Sequence, residues 1–390
     1  MAENFLKKES GAFVLSYQDV AKLLSEVDLG ALLSRLGSEI QKVYSDDEVE
    51  GMDRSGWSRA PEALELMGCQ AADLTCTKLI SSIPGGNGSP TVTGTLVCTE
   101  VGSDQARLVC DAGLLTPLRT AAASAVVAQK MVPNAQRLGV IGAGLEGIAH
   151  AVALAYMNPE LASIQLMDAD PEQAIRAAQE TRYLLDRDAL LGERRVDVLV
   201  CEDESQMYGN EIFVTATYAD GLLLREVDRL VEGSFIAAVG ADLATKRELP
   251  PDLYDRAKFI ADDLRQCLRE GELQYAKNRI RGLKTGVSRI TDHRGELANG
   301  RVVSAAAFLK DPAPFSRRPE PITIYDSTGF SGQDLAVARV LLEVLEKRGD
   351  IARQAWNPTG TRSLVELLGC ANGTDFVVRS QKDQPVSQAP

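Results

Sequence analysis

Histidine is scarce in this chain, which has only His150 and His293 among its 390 residues. Two histidines are too few for a histidine-rich metal site and leave little room for a Ser-His-Asp triad. The seven cysteines are widely spread and contain no C-x-x-C pair, the spacing that holds zinc or supports disulfide exchange. We therefore predict no metal site and interpret the cysteines as buried free thiols.

Long apolar runs and basic stripes are also missing. No stretch approaches the roughly 20 apolar residues that a membrane-spanning helix needs, and the first ten residues lack the pattern of a secretory signal. The net charge is −13, and no Lys/Arg stripe is available to neutralise phosphates. We expect a cytoplasmic protein with neither a membrane nor a nucleic acid as partner.

What is present is an ordinary globular composition, with 45% hydrophobic and 25% charged residues. A chain of this length predicts two domains, each with its own core. Residues 14–50 place apolar side chains at three- and four-residue steps, which predicts a helix. Residues 61–115 are typical of short β-strands, and residues 120–130 of a helix of small residues. These segments predict a mixed α+β domain.

From residue 138 onward, short apolar strands alternate with helices. The predicted strands are 138–141, 163–167, 196–200, 212–216, 235–239 and 259–261. Such alternation is typical of a parallel sheet covered on both faces. The predicted fold class is therefore α/β, with a Rossmann-type doubly wound parallel sheet domain plus the mixed α+β domain. A last strand, 322–325, precedes an amphipathic segment, 334–347, that we expect to return to the first domain.

Gly142, Gly144 and Gly147 form a G-x-G-x-x-G motif directly after an apolar strand and before a helical run. The first glycine permits a tight turn, the second lets the backbone approach a pyrophosphate, and the third allows close helix packing. Asp168 follows the next strand about 20 residues on, where it would meet the ribose hydroxyls. Because a carboxylate there repels a 2′-phosphate, the motif predicts NAD rather than NADP, with Asp170 as the fallback.

Four polar positions lie in apolar or glycine-rich surroundings, where burial is costly without a purpose. They are Lys78 in a predicted strand, Arg119 before the small-residue helix, Asp242 after a strand of the parallel sheet, and Ser327 after the last strand. Each also has a plain structural interpretation: a solvated strand residue, an ion pair at a helix start, a helix N-cap and a turn, respectively. Substrate and cofactor contacts are the functional alternative.

Four segments together resemble the signatures of the ornithine cyclodeaminase/mu-crystallin family in order and spacing. They are residues 113–124, the turn at residues 142–144, residues 238–249 and residues 326–330. The resemblance spans roughly residues 14–350, and residues 268–274 are most similar to ornithine and lysine cyclodeaminases. Two departures stand out: Glu146, where many members carry Gln, and some 30 residues beyond the usual final helix.

The resemblance implies a homodimer that binds NAD and a small amino-acid substrate. Residues 1–130 would be the substrate-binding and dimerisation domain, residues 131–320 the NAD-binding Rossmann domain, and residues 321–356 a return to the first domain. Residues 357–390 would form a C-terminal extension with a disordered end.

The resemblance also gives roles to matched positions. Asp242 and Lys78 would be catalytic, with Asp242 as general acid/base. The substrate would be bound by Arg54, Lys78, Arg119 and Thr91. The cofactor would be bound by Gly142, Gly144, Glu146, Gly147, Asp168, Thr217, Val239, Lys246 and Ser327.

These features predict an NAD-dependent cyclodeaminase that converts ornithine or lysine to a proline- or pipecolate-type product with loss of ammonia. One alternative is an NAD(P)-dependent amino-acid dehydrogenase or ketimine reductase, which would consume the nicotinamide cofactor stoichiometrically. Another is a crystallin-like protein that binds the cofactor without turnover.

Overall fold

The computed structural model describes residues 11–59, 62–83, 92–103, 105–187, 190–218, 221–281, 283 and 296–354. Two sheets organise these residues, one of seven strands and one of nine. Thr91 and the predicted extension, 357–390, lie outside the described residues. Within the described part, no helix is both long and apolar enough to cross a membrane.

The first sheet is mixed, as predicted. Its order is β1-β7-β6-β5-β4-β2, with β3 also paired to β4. The β1/β7 pair is parallel and the other pairs are antiparallel. The strands are β1 (Phe13–Leu15), β2 (Glu50–Gly51), β3 (Ser55–Arg59), β4 (Glu62–Gln70), β5 (Leu74–Ser82), β6 (Val92–Glu100) and β7 (Ala106–Asp111).

The helix predicted over residues 14–50 is wrong as one element, because it is two helices preceded by β1. These are α1 (Tyr17–Glu26) and α2 (Leu29–Ser45). The Ser16 side chain caps α1, and Asp28 accepts the Ala31 N–H at 2.7 Å and so starts α2. Two capping side chains inside one apolar pattern divide the helix there.

The second sheet is parallel except at its last pair, which confirms the predicted Rossmann-type fold. Its order is β10-β9-β8-β11-β12-β16-β13-β15-β14. The strands are β8 (Arg137–Ile141), β9 (Ser163–Met167), β10 (Asp197–Val200), β11 (Ile212–Thr215), β12 (Phe235–Ala238), β13 (Ala257–Ala261), β14 (Glu296–Leu297), β15 (Val302–Ser304) and β16 (Ile322–Asp326).

Helices surround the second sheet and join it to the first. Those that follow the first sheet are α3 (Leu115–Met131), α4 (Leu145–Met157), α5 (Pro171–Asp186), α6 (Pro251–Arg256), α7 (Leu264–Glu270), α8 (Leu273–Ala276), α9 (Ala305–Lys310), α10 (Ala313–Ser316) and α11 (Ser331–Arg348). The small side chains of α3 are fully buried from Ala121 to Ala123, so α3 packs closely on α2 and α4.

The segment expected to return to the first domain is split in the structure. β16 lies inside the second sheet, between β12 and β13, whereas α11 packs against α2, β4 and β5. The expectation is therefore wrong for the strand, because the apolar run of β16 is buried on both faces of the parallel sheet. The other domain limits stay a prediction.

Candidate active site

A cleft of about 1070 Å³ lies where the carboxyl ends of the second sheet face β4 and β5 of the first. Carboxyl ends of parallel strands are where such sheets hold ligands. Most of the predicted site residues meet on its walls. These are Arg54, Arg119, Gly142, Gly144, Glu146, Asp168, Thr217, Val239, Asp242, Lys246 and Ser327.

The glycine turn forms one end of the cleft, between β8 and α4. Gly142 has a φ of +99°, and a Cβ there would lie 2.4 Å from the carbonyl oxygen of Ala216, so only glycine fits. At Gly144, the N-cap of α4, an added Cβ would meet nothing within 4 Å, so the backbone faces open space. Gly147 does not line the cleft but packs directly on the Gly142 carbonyl. The turn therefore has room for a pyrophosphate at a helix N-terminus.

Asp168 ends β9 beside this turn. One of its carboxylate oxygens accepts the Ala143 N–H at 2.7 Å, and the other accepts the Asp170 N–H at 3.0 Å. The fallback residue, Asp170, is instead the N-cap of α5, because its carboxylate accepts the Glu172 N–H. Asp168 is thus the carboxylate on the cleft wall, and together with the open glycine turn it fits a dinucleotide with free ribose hydroxyls.

Two guanidinium groups converge at the other end of the cleft, beside Gly329. A Cβ added to Gly329 would lie 3.0 Å from Nη2 of Arg119 and 3.3 Å from Nη2 of Arg54. Gly329 has a φ of +93°, which few other residues adopt. Paired guanidinium donors are suited to binding a carboxylate.

Arg54 is also held by two carboxylates. Its Nη1 lies 3.2 Å from Glu65 and 3.7 Å from Glu270, and it donates to the Asp242 carbonyl at 3.1 Å. Burial raises the pKa of Glu65 and of Glu270, and the nearby Arg54 charge lowers both. Glu65 was not predicted from the sequence. It alternates along β4 with the buried residues Ala63 and Met67, so the pattern already indicated a carboxylate on the inner face of the strand.

Lys78 does not reach the cleft wall where it was expected, and it is not a solvated strand residue either. Its side chain is 1% exposed, and Nζ donates to Asp334 of α11 at 2.8 Å. The same Asp334 oxygen lies 3.2 Å from Nε of Arg119. Burial lowers the pKa of Lys78 to about 8, with a further lowering by Arg119 that Asp334 opposes. Lys78 therefore stands behind Arg119 in this structure.

Asp242 lies in the loop after β12 with its side chain 38% exposed. Lys246 pairs with it at 2.7 Å and sits 4.1 Å above the ring of Tyr218. Asp242 does not cap a helix; its carboxylate faces the cleft between the glycine turn and the guanidinium pair. A carboxylate in this position can accept and return a proton.

Three buried carboxylates, Asp326, Glu272 and Glu248, form a series behind the cleft. Each of the first two accepts hydrogen bonds from the backbone N–H groups of the next residue in the series and of its neighbour. Asp326 accepts the N–H groups of Glu272 and Leu273. Glu272 accepts those of Glu248 and Leu249. Sequence reasoning missed this series, since nothing in the local pattern announces which distant N–H groups a carboxylate will meet.

Glu248, the last carboxylate of the series, ties two strand ends together at the cleft. It accepts the Thr217 N–H at 2.8 Å, the Thr217 hydroxyl at 2.7 Å and the Gly240 N–H at 3.1 Å. Since Thr217 follows β11 and Gly240 follows β12, Glu248 fixes the cleft wall two residues before Asp242.

Comparison with known proteins covers most of the chain. The model of the ornithine cyclodeaminase/mu-crystallin family matches residues 42–349. An L-lysine cyclodeaminase of Streptomyces rapamycinicus is 28% identical over 351 residues, 86% of this chain and 93% of that protein. A solved lysine cyclodeaminase structure has a TM-score of 0.74 at 26% identity and covers 90% of this chain and 100% of that one.

Reductases of related fold are similar as well. An iminosuccinate reductase of Paracoccus denitrificans is 32% identical over 243 residues, which span 60% of this chain and 65% of that protein. Its structure, solved in complex with NAD⁺, has a TM-score of 0.68 at 22% identity and covers 87% of this chain and 98% of that one. Similarity to both cyclodeaminases and reductases leaves the substrate to be argued from the cleft.

Proposed function

The chain belongs to the ornithine cyclodeaminase/mu-crystallin family, and on that premise we propose that it is an NAD-dependent cyclodeaminase of a diamino acid such as ornithine or lysine. The observation that carries the proposal is the meeting, in one cleft, of a dinucleotide-type glycine turn, a guanidinium pair and a surplus of carboxylates. In the net reaction the distal amine nitrogen bonds to Cα, the α-amino nitrogen leaves as ammonia, and nothing is oxidised overall.

NAD is the cofactor that fits the other end of the cleft. The backbone at Gly144 would hold the pyrophosphate, Asp168 the ribose hydroxyls, and Thr217, Val239 and Ser327 the wall beside the nicotinamide ring. When bound, NAD supplies a temporary hydride acceptor at Cα. An iminosuccinate reductase that binds NAD⁺ on the same fold supports this assignment.

The substrate carboxylate would sit between Arg54 and Arg119, next to Gly329. These guanidinium groups are buried and fixed, so they orient Cα without first having to be ordered. Lys78 would act as a positioning residue, since it shares Asp334 with Arg119.

Asp242 would take the proton from the distal amine, because an ammonium cannot attack Cα, and would then return it to the departing nitrogen. Lys246, paired at 2.7 Å, keeps this carboxylate at the cleft. Glu65 would bind the distal amine as it approaches, since it is the carboxylate on the β4 wall beside Arg54.

The charge of the cleft favours a diamino acid over alanine or a dicarboxylic imine. Glu65, Glu270 and Asp242 lie around Arg54, and the first two contact its guanidinium group. A second amino group in the substrate would be attracted to these carboxylates, whereas a second carboxylate would be repelled by them.

We also propose a homodimer that forms through the outer face of the first sheet. Trp57, Leu66 and Leu79 are 77%, 38% and 43% exposed on neighbouring strands of that sheet. Adjacent exposed apolar side chains mark an interaction surface, and light scattering at micromolar concentration would test the assembly.

The function is tested by incubating the full chain with L-ornithine, L-lysine or L-arginine at a large excess over NAD. Ammonia and product mass are followed together. Cyclic product well in excess of the NAD supplied is the expected result. NADH that accumulates in step with product would instead identify a dehydrogenase. If all three substrates are inert, cyclic imines with NADH test the reductase alternative.

Asp242→Asn is the matched variant for this assay. It should abolish ammonia release and leave NADH binding, followed by fluorescence, within a few-fold of the natural chain. Undiminished turnover by Asp242→Asn would refute the role given to Asp242.

A further inference from the structure

Glu146, in the first turn of α4, has an unusual carboxyl group. It lines the cleft, yet its Oε1 atom is buried and has no hydrogen-bond partner among the described residues. A buried carboxylate oxygen without a donor is costly. The side chain as a whole is 29% exposed and lines the cleft, so a proton on Glu146, a water molecule or a bound ligand can relieve this cost.

The groups around this carboxyl come from four elements. Arg119 and Thr120 of α3, Lys78 of β5 and Asp242 of the loop after β12 are the groups that shift its pKa. On its own helix, Nδ1 of His150 lies 3.6 Å from Oε1 and donates to the Glu146 carbonyl, and Nε2 accepts a hydrogen bond from the Ser124 hydroxyl.

His150 brings no positive charge at neutral pH, because burial lowers its pKa to about 4. Burial raises the pKa of Glu146 to about 7, an effect that Arg119 and Thr120 oppose and Asp242 reinforces. Glu146 is thus divided between its charged and neutral forms near pH 7, and Arg119, which also pairs with Asp334, is the cation that lowers its pKa most.

We infer that Glu146 and the substrate carboxylate share the Arg119 guanidinium, so that substrate binding is accompanied by the uptake of one proton at Glu146. The inference rests on the proposed function, which puts the substrate carboxylate at Arg119. Ionising both carboxylates beside this one guanidinium is unfavourable in a partly buried cleft, so Glu146, whose pKa is already raised, takes up the proton from solvent.

Linkage makes this coupling measurable. If binding requires protonated Glu146, the affinity for a carboxylate ligand falls up to tenfold for each pH unit above about 7. The cofactor should behave differently, because the groups that lower the pKa of Glu146 most are Arg119 and Thr120 of α3, whereas the pyrophosphate would lie against the open backbone at Gly144.

The test is isothermal titration calorimetry on the full chain saturated with NADH, with L-proline and pyruvate as carboxylate probes. Titration at pH 8 in phosphate and in Tris, two buffers of different ionisation enthalpy, counts the protons taken up. Pyruvate has no amino group, so any proton it brings in cannot be assigned to an amine. The variants are Glu146→Gln and, as matched control, Glu172→Gln, whose side chain is 84% exposed on α5.

We expect about one proton per probe for the natural chain and for Glu172→Gln, and none for Glu146→Gln, whose affinity at pH 8 should be about tenfold higher than that of the natural chain. Probe binding without proton uptake would overturn the inference. NADH affinity that falls with rising pH while probe affinity stays constant would also overturn it, and would place Glu146 beside the pyrophosphate instead. NADH binding with no binding of either probe overturns it as well. If the chain does not bind NADH, the proposed function itself is refuted. Failure of the proposed function can thus be distinguished from failure of the inference.

Discussion

Lys78 and Asp334 form an ion pair of 2.8 Å between residues 256 positions apart, and both side chains are almost completely buried. The pair joins β5 of the first sheet to α11. Because Arg119 lies 3.2 Å from the same Asp334 oxygen, one carboxylate pairs with two buried cations. Removal of either partner of such a buried ion pair lowers the free energy of unfolding strongly.

Asp334→Asn should therefore destabilise the fold by about 3–5 kcal/mol, because it removes the carboxylate that pairs with the buried Lys78 and Arg119. Urea unfolding followed by circular dichroism measures this. The matched control is Glu343→Gln on the same helix, which breaks exposed pairs with Arg35 and Lys347 and should cost about 1 kcal/mol or less. Equal losses in the two variants would mean that Asp334 neutralises nothing of consequence.

Gly329→Ala should displace the guanidinium pair. The added Cβ would come within 3.0 Å of Arg119, so we expect at least a tenfold lower affinity for a carboxylate probe and unchanged NADH binding. Gly102→Ala controls for the cost of a positive φ, since Gly102 has φ +77° and open space around it. If both variants bind the probe normally, the guanidinium pair does not form the carboxylate site.

Asp168→Ser should relax the preference for NADH over NADPH by at least tenfold, because it removes the negative charge that repels a 2′-phosphate. Fluorescence titration with each nucleotide measures the ratio. Asp170→Ser keeps a capping side chain on α5 and should leave the ratio as it is. If the affinity ratio changes in Asp170→Ser and not in Asp168→Ser, the ribose contact belongs to Asp170.

His150 should make the fold sensitive to acid. Its pKa is lowered to about 4, so the folded state binds its proton less readily than the unfolded state does. The stability it contributes is nearly complete above about pH 6.5, falls progressively as the pH drops below that value, and is fully lost once the pH has passed through 4. Between pH 7 and pH 5 we expect a loss of about 2 kcal/mol from this residue.

Urea unfolding at pH 7 and pH 5 checks this effect. His150→Gln, which keeps a donor and an acceptor for Ser124 and the Glu146 carbonyl, should show a smaller difference between the two pH values. An equal difference in both proteins would assign the acid sensitivity to other groups.

The sequence predicted seven of the nine strands of the second sheet, because each of these seven is a short apolar run with a sharp end, whereas the short strands β14 and β15 were not predicted. The predicted 163–167 strand coincides with β9, and the others differ from β8, β10, β11, β12, β13 and β16 by a few terminal residues at most. Local pattern also located Gly142 and Asp168, since their spacing reflects one βαβ unit.

Contacts between distant elements were beyond local pattern. Nothing near Lys78 in the sequence indicates that Asp334 will face it, and nothing near Glu248 indicates Thr217 and Gly240. The position of β16 was missed for the same reason, because strand order depends on long-range pairing. The roles assigned to Thr91 and to the other predicted site residues stay predictions.

The series of buried carboxylates behind the cleft has a direction. Asp326 holds the backbone at Glu272, Glu272 holds it at Glu248, and Glu248 holds Thr217 and Gly240. We therefore expect substitution of Asp326 to weaken the hydrogen bonds of Glu272 and Glu248 as well, whereas substitution of Glu248 should leave the hydrogen bonds of Asp326 and Glu272 in place. The tolerance of these three positions to change during evolution should accordingly be unequal, and lowest at Asp326.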